Sequence, residues 1–160
     1  MDRIEFQDAV TDYANDVFKI AFAYCKSRQD AEDIVQNTFL KLLRHSGDFE
    51  NDEHLKRWLL KVAVNEAKSM HVSFWKRRTV PLEASALDSK ITFDTLEQSN
   101  LYDAVMKLGE KYSVVIHLYY YEGYSTKEIA KILRITETAV QTRVMRARKK
   151  LKALMTMKGV

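Results

Sequence analysis

An all-α fold is what this sequence predicts, and three observations carry the prediction. Glycine and proline are scarce, four and one in 160 residues, so little in the chain interrupts a helix. Apolar residues recur every three or four positions with charged residues between them, the period that lines one side of a helix. Strand-like alternation of period two is hard to find anywhere.

The first element spans Phe6 to Lys26, where Phe6, Val10, Tyr13, Val17, Ile20, Ala21 and Tyr24 form one stripe. Ser27, with Asp30 three residues on, marks a second start, and Asp30, Glu32 and Asp33 sit where the helix dipole favours carboxylates. The second helix, DAEDIVQNTFLKLLRH, ends before Ser46-Gly47. Ile34, Val35, Phe39, Leu42 and Leu43 cover more of its circumference than one core-facing stripe requires. Either the helix is sandwiched between two others or it keeps a face for a partner. Exposure of Phe39 or Leu43 decides between these.

A loop from Gly47 to Asn51 leads into a third helix, from about Asp52 to beyond His71. Leu55, Trp58, Leu59, Val62, Ala63 and Ala67 are its expected core stripe, with Lys56, Arg57, Lys61, Asn65 and Lys68 on other faces. It closes on Phe74-Trp75-Lys76-Arg77-Arg78. Rings beside cations suit an unstacked single strand, because every base has a stackable face and every nucleotide a phosphate. Trp75 fits either a base-facing or a packed position.

From Thr79 to Gln98 the period is lost and Ser, Thr, acids and the chain's single Pro predominate, as in a linker. Two domains follow, 1–78 and 99–160, joined by 79–98. The second opens with Leu101, Ala104, Val105 and Leu108, breaks at Gly109, and resumes from Val114 to Tyr121. Gly123 supplies a left-handed stop. Then comes STKEIAKILRITETAVQTRVMRARKKL, which reads as a helix-turn-helix. Ser125 and Glu128 have capping-box spacing, Arg134-Ile135-Thr136 makes the turn, and Thr136 caps the next helix. Val140, Val144, Ala147 and Leu151 lie on one face of that helix. Arg134 stands where many such turns carry Gly, and a non-Gly residue at positive φ costs about 1 kcal/mol or more.

Charge is segregated along the chain. Residues 1–53 carry a balance of −6, residues 54–78 of +6, residues 79–98 of −3 and residues 99–160 of +7. Two basic surfaces for an anionic partner are implied, one in each half, behind an acidic front that such a partner avoids. From Gln141 to Lys152 six basic residues occur with no acid, which suits a phosphate backbone, while the helix's front side chains reach base edges in a major groove. Duplex DNA is the expected ligand of this helix.

The four histidines have no ligand spacing and there is no Gly-rich phosphate loop, so neither a metal site nor a cofactor is expected, and the chain is not expected to be an enzyme. Cys25 falls in the apolar pattern of the first helix and reads as a buried small hydrophobe rather than a reactive thiol. No apolar run is long enough to cross a bilayer, and the first residues are acidic and amphipathic, so membrane insertion is not expected and a cytoplasmic location is.

With these residues in hand the chain resembles a bacterial RNA polymerase sigma factor of the extracytoplasmic-function group. DAEDIVQNTFLKLLR is similar to that family's region 2.2, WLLKVAVNEAKSM with the trailing WKRR to regions 2.3 and 2.4, and EGYSTKEIAKILRITETAVQTRVMRARKKL to region 4.2. The resemblance implies binding to core RNA polymerase and direction of it to promoters. Asp33, Gln36, Asn37, Phe39 and Lys41 are then expected on the β′ clamp helices, with region 4 touching the β flap. Phe49, Glu50, Asn51, Asp52, Glu53 and His54 are expected around a base flipped from the minus-ten element, with Asn65, Lys68, Trp75, Arg77 and Arg78 beside them. Glu137, Thr138, Gln141, Thr142, Met145 and Arg146 are expected to read the minus-thirty-five duplex. An anti-sigma factor is a further expected partner. A helix-turn-helix repressor explains the second half but leaves the acidic-apolar and aromatic-basic helices of the first half without a client.

Overall fold

The computed structural model describes residues 3–77 and 104–157. The chain divides into two compact units, one within Met1–Phe93 and the other within Asp94–Val160. Among the described residues every regular element is helical. The expected linker, Leu101 and Arg78 lie outside them.

The first unit is three mutually packed helices, α1 (Arg3–Cys25), α2 (Arg28–Arg44) and α3 (Asp52–Arg77). Val17, Ile20, Ile34, Val35, Leu42, Leu59 and Leu60 are fully enclosed between them. A sharp reversal joins α1 to α2: Lys26 takes φ 56°, its N–H bonds the Phe22 carbonyl at 2.8 Å, and the Ser27 hydroxyl accepts from the Asp30 N–H at 3.3 Å. The serine cap is the one the sequence predicts; the left-handed lysine before it has no such signature. Lys56 reaches Asp16 at 4.0 Å between α3 and α1, and Lys41 pairs with Glu66 between α2 and α3.

The core stripe of α3 differs from the expected one. Leu60 and Val64 are buried with Leu59, Ala63 and Ala67, whereas Trp58 and Val62 are only half-buried. Because α3 packs against both α1 and α2, its buried face spans two adjacent rows, and a single-stripe reading selects the wrong edge of it.

In the second unit, residues 104–106 are helical and are followed by α4 (Glu110–Ile116), a π-helical stretch (His117–Tyr121), α5 (Thr126–Leu133) and α6 (Glu137–Met157). The helix after Gly109 therefore starts four residues before the expected Val114. Gly109 is its cap, and the Tyr112 and Ser113 N–H groups bond the Gly109 carbonyl at 2.9 and 3.0 Å. Gly123 closes the stretch at φ 75°. Leu108, Ile116 and Ala147 form a core that Val105, Tyr112, Leu151 and Leu154 pack around.

The helix-turn-helix forms as its caps dictate. Ser125 accepts from the Glu128 N–H at 3.1 Å while the Glu128 carboxylate accepts from the Ser125 N–H at 3.2 Å. Thr136 accepts from the Ala139 N–H at 3.1 Å and so starts α6. Between them Arg134 sits in the left-handed region at φ 57°, ψ 44°. Arg134→Gly should therefore stabilise this unit by about 0.5–1 kcal/mol, the relieved Cβ strain exceeding the extra chain entropy of glycine. Thermal unfolding of the full chain checks it, with a rise of a few degrees expected.

Candidate functional site

Three surfaces carry the residues that the sequence singles out. The first is the outward face of α2. Leu42 is enclosed, but Leu43 is 59% exposed and Leu40 40% exposed. Phe39 is a correction: only 4% of it is exposed, and its ring meets Phe6 edge-on at 6.4 Å between centroids. It supports the face from below and does not present itself to a partner. Asp33, Gln36 and Asn37 are half-buried along the same helix, and Lys41, though exposed, is tied to Glu66. Leu43 belongs to the surplus apolar circumference of α2 whose exposure marks a partner face, whereas Leu40 was not singled out by the sequence.

The second surface is built on the loop before α3. Asn51 caps the helix by accepting from the His54 N–H at 2.8 Å, and His54 Nδ1 accepts in turn from the Glu50 N–H at 3.0 Å. These two bonds hold the loop closed, the imidazole bonding the N–H of the residue before the cap where a capping-box carboxylate bonds the cap's own N–H. Phe49 folds back over it, its ring centroid 5.0 Å from His45, 5.3 Å from His54 and 5.6 Å from Trp58. Gly47 leaves room for this stack, since a Cβ there would lie 2.9 Å from His45 Nε2.

Phe49, Glu50, Asn51 and His54 are thus brought together. Asp52 and Glu53 occupy the exposed first turn of α3. Asn65 is not gathered into the same group. It lies seven residues beyond Trp58, about 10 Å along the axis, and Lys68 a further turn on. His54, Trp58, Lys61, Asn65 and Lys68 recur at alternating intervals of four and three residues, so they share one flank of α3. Trp58, expected in the core, belongs to this outer row. Trp75 and Arg77 fall on the last turns of α3.

Beside the loop, between it and α1, lies a cleft of about 480 Å³ whose lining includes Glu5, Asp8, Asp12, Asp48 and Asp52. Burial, then Asp52 and Asp12, push the Tyr13 phenol above its ordinary value. These carboxylates disfavour phosphates within the cleft, while Phe49 and Asn51 of the loop line it as well and Lys61 and Lys68 lie along α3.

The third surface is α6. Val140, Val144 and Ala147 are buried, while Thr138, Gln141, Met145, Arg146 and Lys149 are exposed and Thr142 is half-buried. Some charged groups expected to be available are engaged within the unit. Glu137 accepts from the Thr126 hydroxyl at 3.0 Å and clasps α6 to the start of α5. The Arg148 guanidinium lies 5.8 Å from the Tyr119 ring centroid and 5.3 Å from that of Tyr120, and it donates to the Tyr120 hydroxyl. Lys150 Nζ sits 5.3 Å from the Tyr112 ring centroid. The π-helical stretch delivers Tyr119 and Tyr120 to this contact, which periodicity alone does not reveal.

Among the described residues no group of His, Cys, Asp and Glu is arranged to hold a metal ion, and no helix is long and apolar enough to cross a membrane. The Cys25 thiol donates to the Ser27 carbonyl at 3.4 Å, and burial pushes its pKa up to about 11. Alkylation by iodoacetamide at pH 7.5 should therefore be far slower than for a free thiol, rising only towards pH 11. Because the folded value is raised, the thiol's contribution to stability is complete below about pH 9 and is lost between there and about pH 11; urea unfolding at both ends of that window checks the sign.

The chain is similar to known proteins over both units. Residues 9–78 match the family described as Sigma-70 region 2, and residues 98–151 match Sigma-70, region 4. The chain is 31% identical over 147 residues to the RNA polymerase sigma factor SigV of Bacillus subtilis, covering 92% of this chain and 89% of that protein. It is 27% identical to the ECF RNA polymerase sigma factor SigW of the same organism, over 94% of this chain and 89% of SigW. In fold it is similar to the sigma factor RpoE of Bartonella quintana, solved in complex with the anti-sigma factor NepR, with TM-score 0.71 and 22% identity over 95% of this chain and 97% of that one. It is also similar in fold to CnrH, solved with the cytosolic domain of CnrY, with TM-score 0.64 and 22% identity over 98% and 90% of the two chains. The chain belongs to the sigma-70 family of RNA polymerase sigma factors, in its extracytoplasmic-function group.

Proposed function

We propose that this chain docks on core RNA polymerase through the outward face of α2, captures the melted minus-ten strand along the loop and outer flank of α3, and reads the minus-thirty-five duplex with α6. On this reading Leu40 and Leu43, flanked by Asp33, Gln36, Asn37 and Lys41, meet the β′ clamp helices, and the second unit touches the β flap. The observation that carries the reading is the exposure of Leu43 on a helix whose other apolar residues are mostly enclosed. Such an exposed apolar face fits docking on a protein partner.

Phe49, Glu50, Asn51, Asp52, Glu53 and His54 lie at one end of the proposed strand path and Asn65 and Lys68 further along α3, with Trp75 and Arg77 on its last turns; Arg78, outside the described residues, belongs to the same proposed set. The aromatic and amide groups address bases, and the cations address phosphates. In α6, Thr138, Gln141, Thr142, Met145 and Arg146 face the groove, and Glu137 positions the helix. The protein itself performs no catalysis; bond making belongs to the polymerase. Its work is in the cytoplasm, and an anti-sigma factor holds it inactive, by analogy with the RpoE–NepR complex of similar fold.

Transcription from genomic fragments of the source organism, by core polymerase with and without the protein, is the test. Discrete new start sites are expected. Tight duplex binding by the protein alone, with no new start sites, would instead favour a repressor. A finer expectation concerns charge: Lys149→Ala should lower the salt slope of promoter binding by about one, whereas Lys150→Ala should change it less, because that ammonium already rests on Tyr112.

A further inference from the structure

We propose that Met145 is a specificity-determining residue that reads the 5-methyl group of a thymine in the upstream promoter element. The inference rests on α6 entering the major groove as proposed above. From Val140 to Ala147 the helix buries Val140, Val144 and Ala147, yet Met145 is 63% exposed, more than any other large hydrophobic side chain among the described residues. It shares its side of the helix with Thr138, Thr142 and Lys149, at spacings of four, three and four. Gln141, Arg146 and Lys149, all exposed, surround it. Those neighbours can address base edges and phosphates by hydrogen bonds and charge. A thioether gains little from either and is stabilised by leaving water against another apolar group. On the major-groove edges of the four bases the apolar group is the thymine methyl. The backbone that carries Met145 is fixed by the Thr136 cap and by the clasp of Glu137 on Thr126, so the side chain is presented at a defined depth.

The test uses holoenzyme reconstituted from core polymerase and the full chain. The upstream duplex that it protects is synthesised again with each thymine singly replaced by deoxyuridine, which removes one methyl group and keeps every hydrogen bond. At one position the unaltered protein should bind the uracil duplex about fourfold more weakly, the worth of one buried methyl-sized group. Met145→Ala should bind both duplexes equally, and Met145→Leu, apolar and of similar volume, should keep the preference. Far-ultraviolet circular dichroism should be unchanged in both variants, since the side chain lies outside the core. No uracil effect at any position, the same effect in Met145→Ala, or loss of the preference in Met145→Leu would overturn the assignment while leaving the sigma-factor reading intact. Failure of the holoenzyme to protect any upstream duplex would remove that reading, and this inference with it.

Discussion

Leu43→Asp is expected to weaken binding to core RNA polymerase by about 30-fold or more while leaving thermal unfolding of the chain nearly unchanged. The side chain is 59% exposed, so the three-helix unit loses almost no packing when it is replaced. At an interface, an apolar anchor contributes about 2 kcal/mol or more when it is truncated, and a carboxylate in its place adds an unpaired charge to a desolvated surface. Leu40→Asp should act in the same direction with a smaller effect, since more of that side chain already packs within the unit. Binding of labelled protein to core polymerase, measured beside a melting curve, separates the two quantities. Retained affinity in Leu43→Asp would remove α2 from the docking surface.

Phe39→Ala should do the opposite. Its ring is enclosed and meets Phe6 edge-on, and deleting a buried phenyl ring costs about 3–5 kcal/mol through lost transfer energy and the cavity left behind. A unit of this size is stable by only about 5–10 kcal/mol, so a large share of its stability goes. Polymerase binding then falls because the docking face is no longer held together. If Phe39→Ala lost polymerase binding with an unchanged unfolding midpoint, the ring would be a direct contact after all. The two neighbouring substitutions on α2 thus test contact and support separately.

The contrast between Phe39 and Leu43 shows how much of this protein can be read without coordinates. Capping signatures are local: a serine or threonine hydroxyl reaches an N–H three residues away whatever the rest of the chain does. For that reason the starts of α2, α5 and α6 were legible from Ser27, Ser125 and Thr136, and positive φ at Arg134 could be anticipated because it stands where many such turns carry Gly. Helical periodicity is local too, and with the order of the sigma-like segments it was enough for the helical class and the family. The candidate residues of α6 followed from the same periodicity, because one helix face is complementary to the other.

What the sequence left open depended on how many neighbours each helix has. Whether Phe39 or Leu43 faces outward, and whether Trp58 or Leu60 belongs to the core of α3, is set by two packing partners acting on adjacent rows of one helix, and a one-dimensional pattern shows only that the apolar arc is wide. The pairing of His54 with Glu50 and Asn51, the clasp of Thr126 on Glu137 and the seating of Arg148 over Tyr119 and Tyr120 are likewise invisible in composition. Each joins groups whose approach depends on where a turn or a π-helical stretch happens to point them. By itself the sequence determined the helices, their caps, the segregation of charge and the family. Tertiary packing decided which apolar residues remain outside for a partner and which cations remain available for DNA, because burial and pairing are properties of a neighbourhood that only the folded chain assembles.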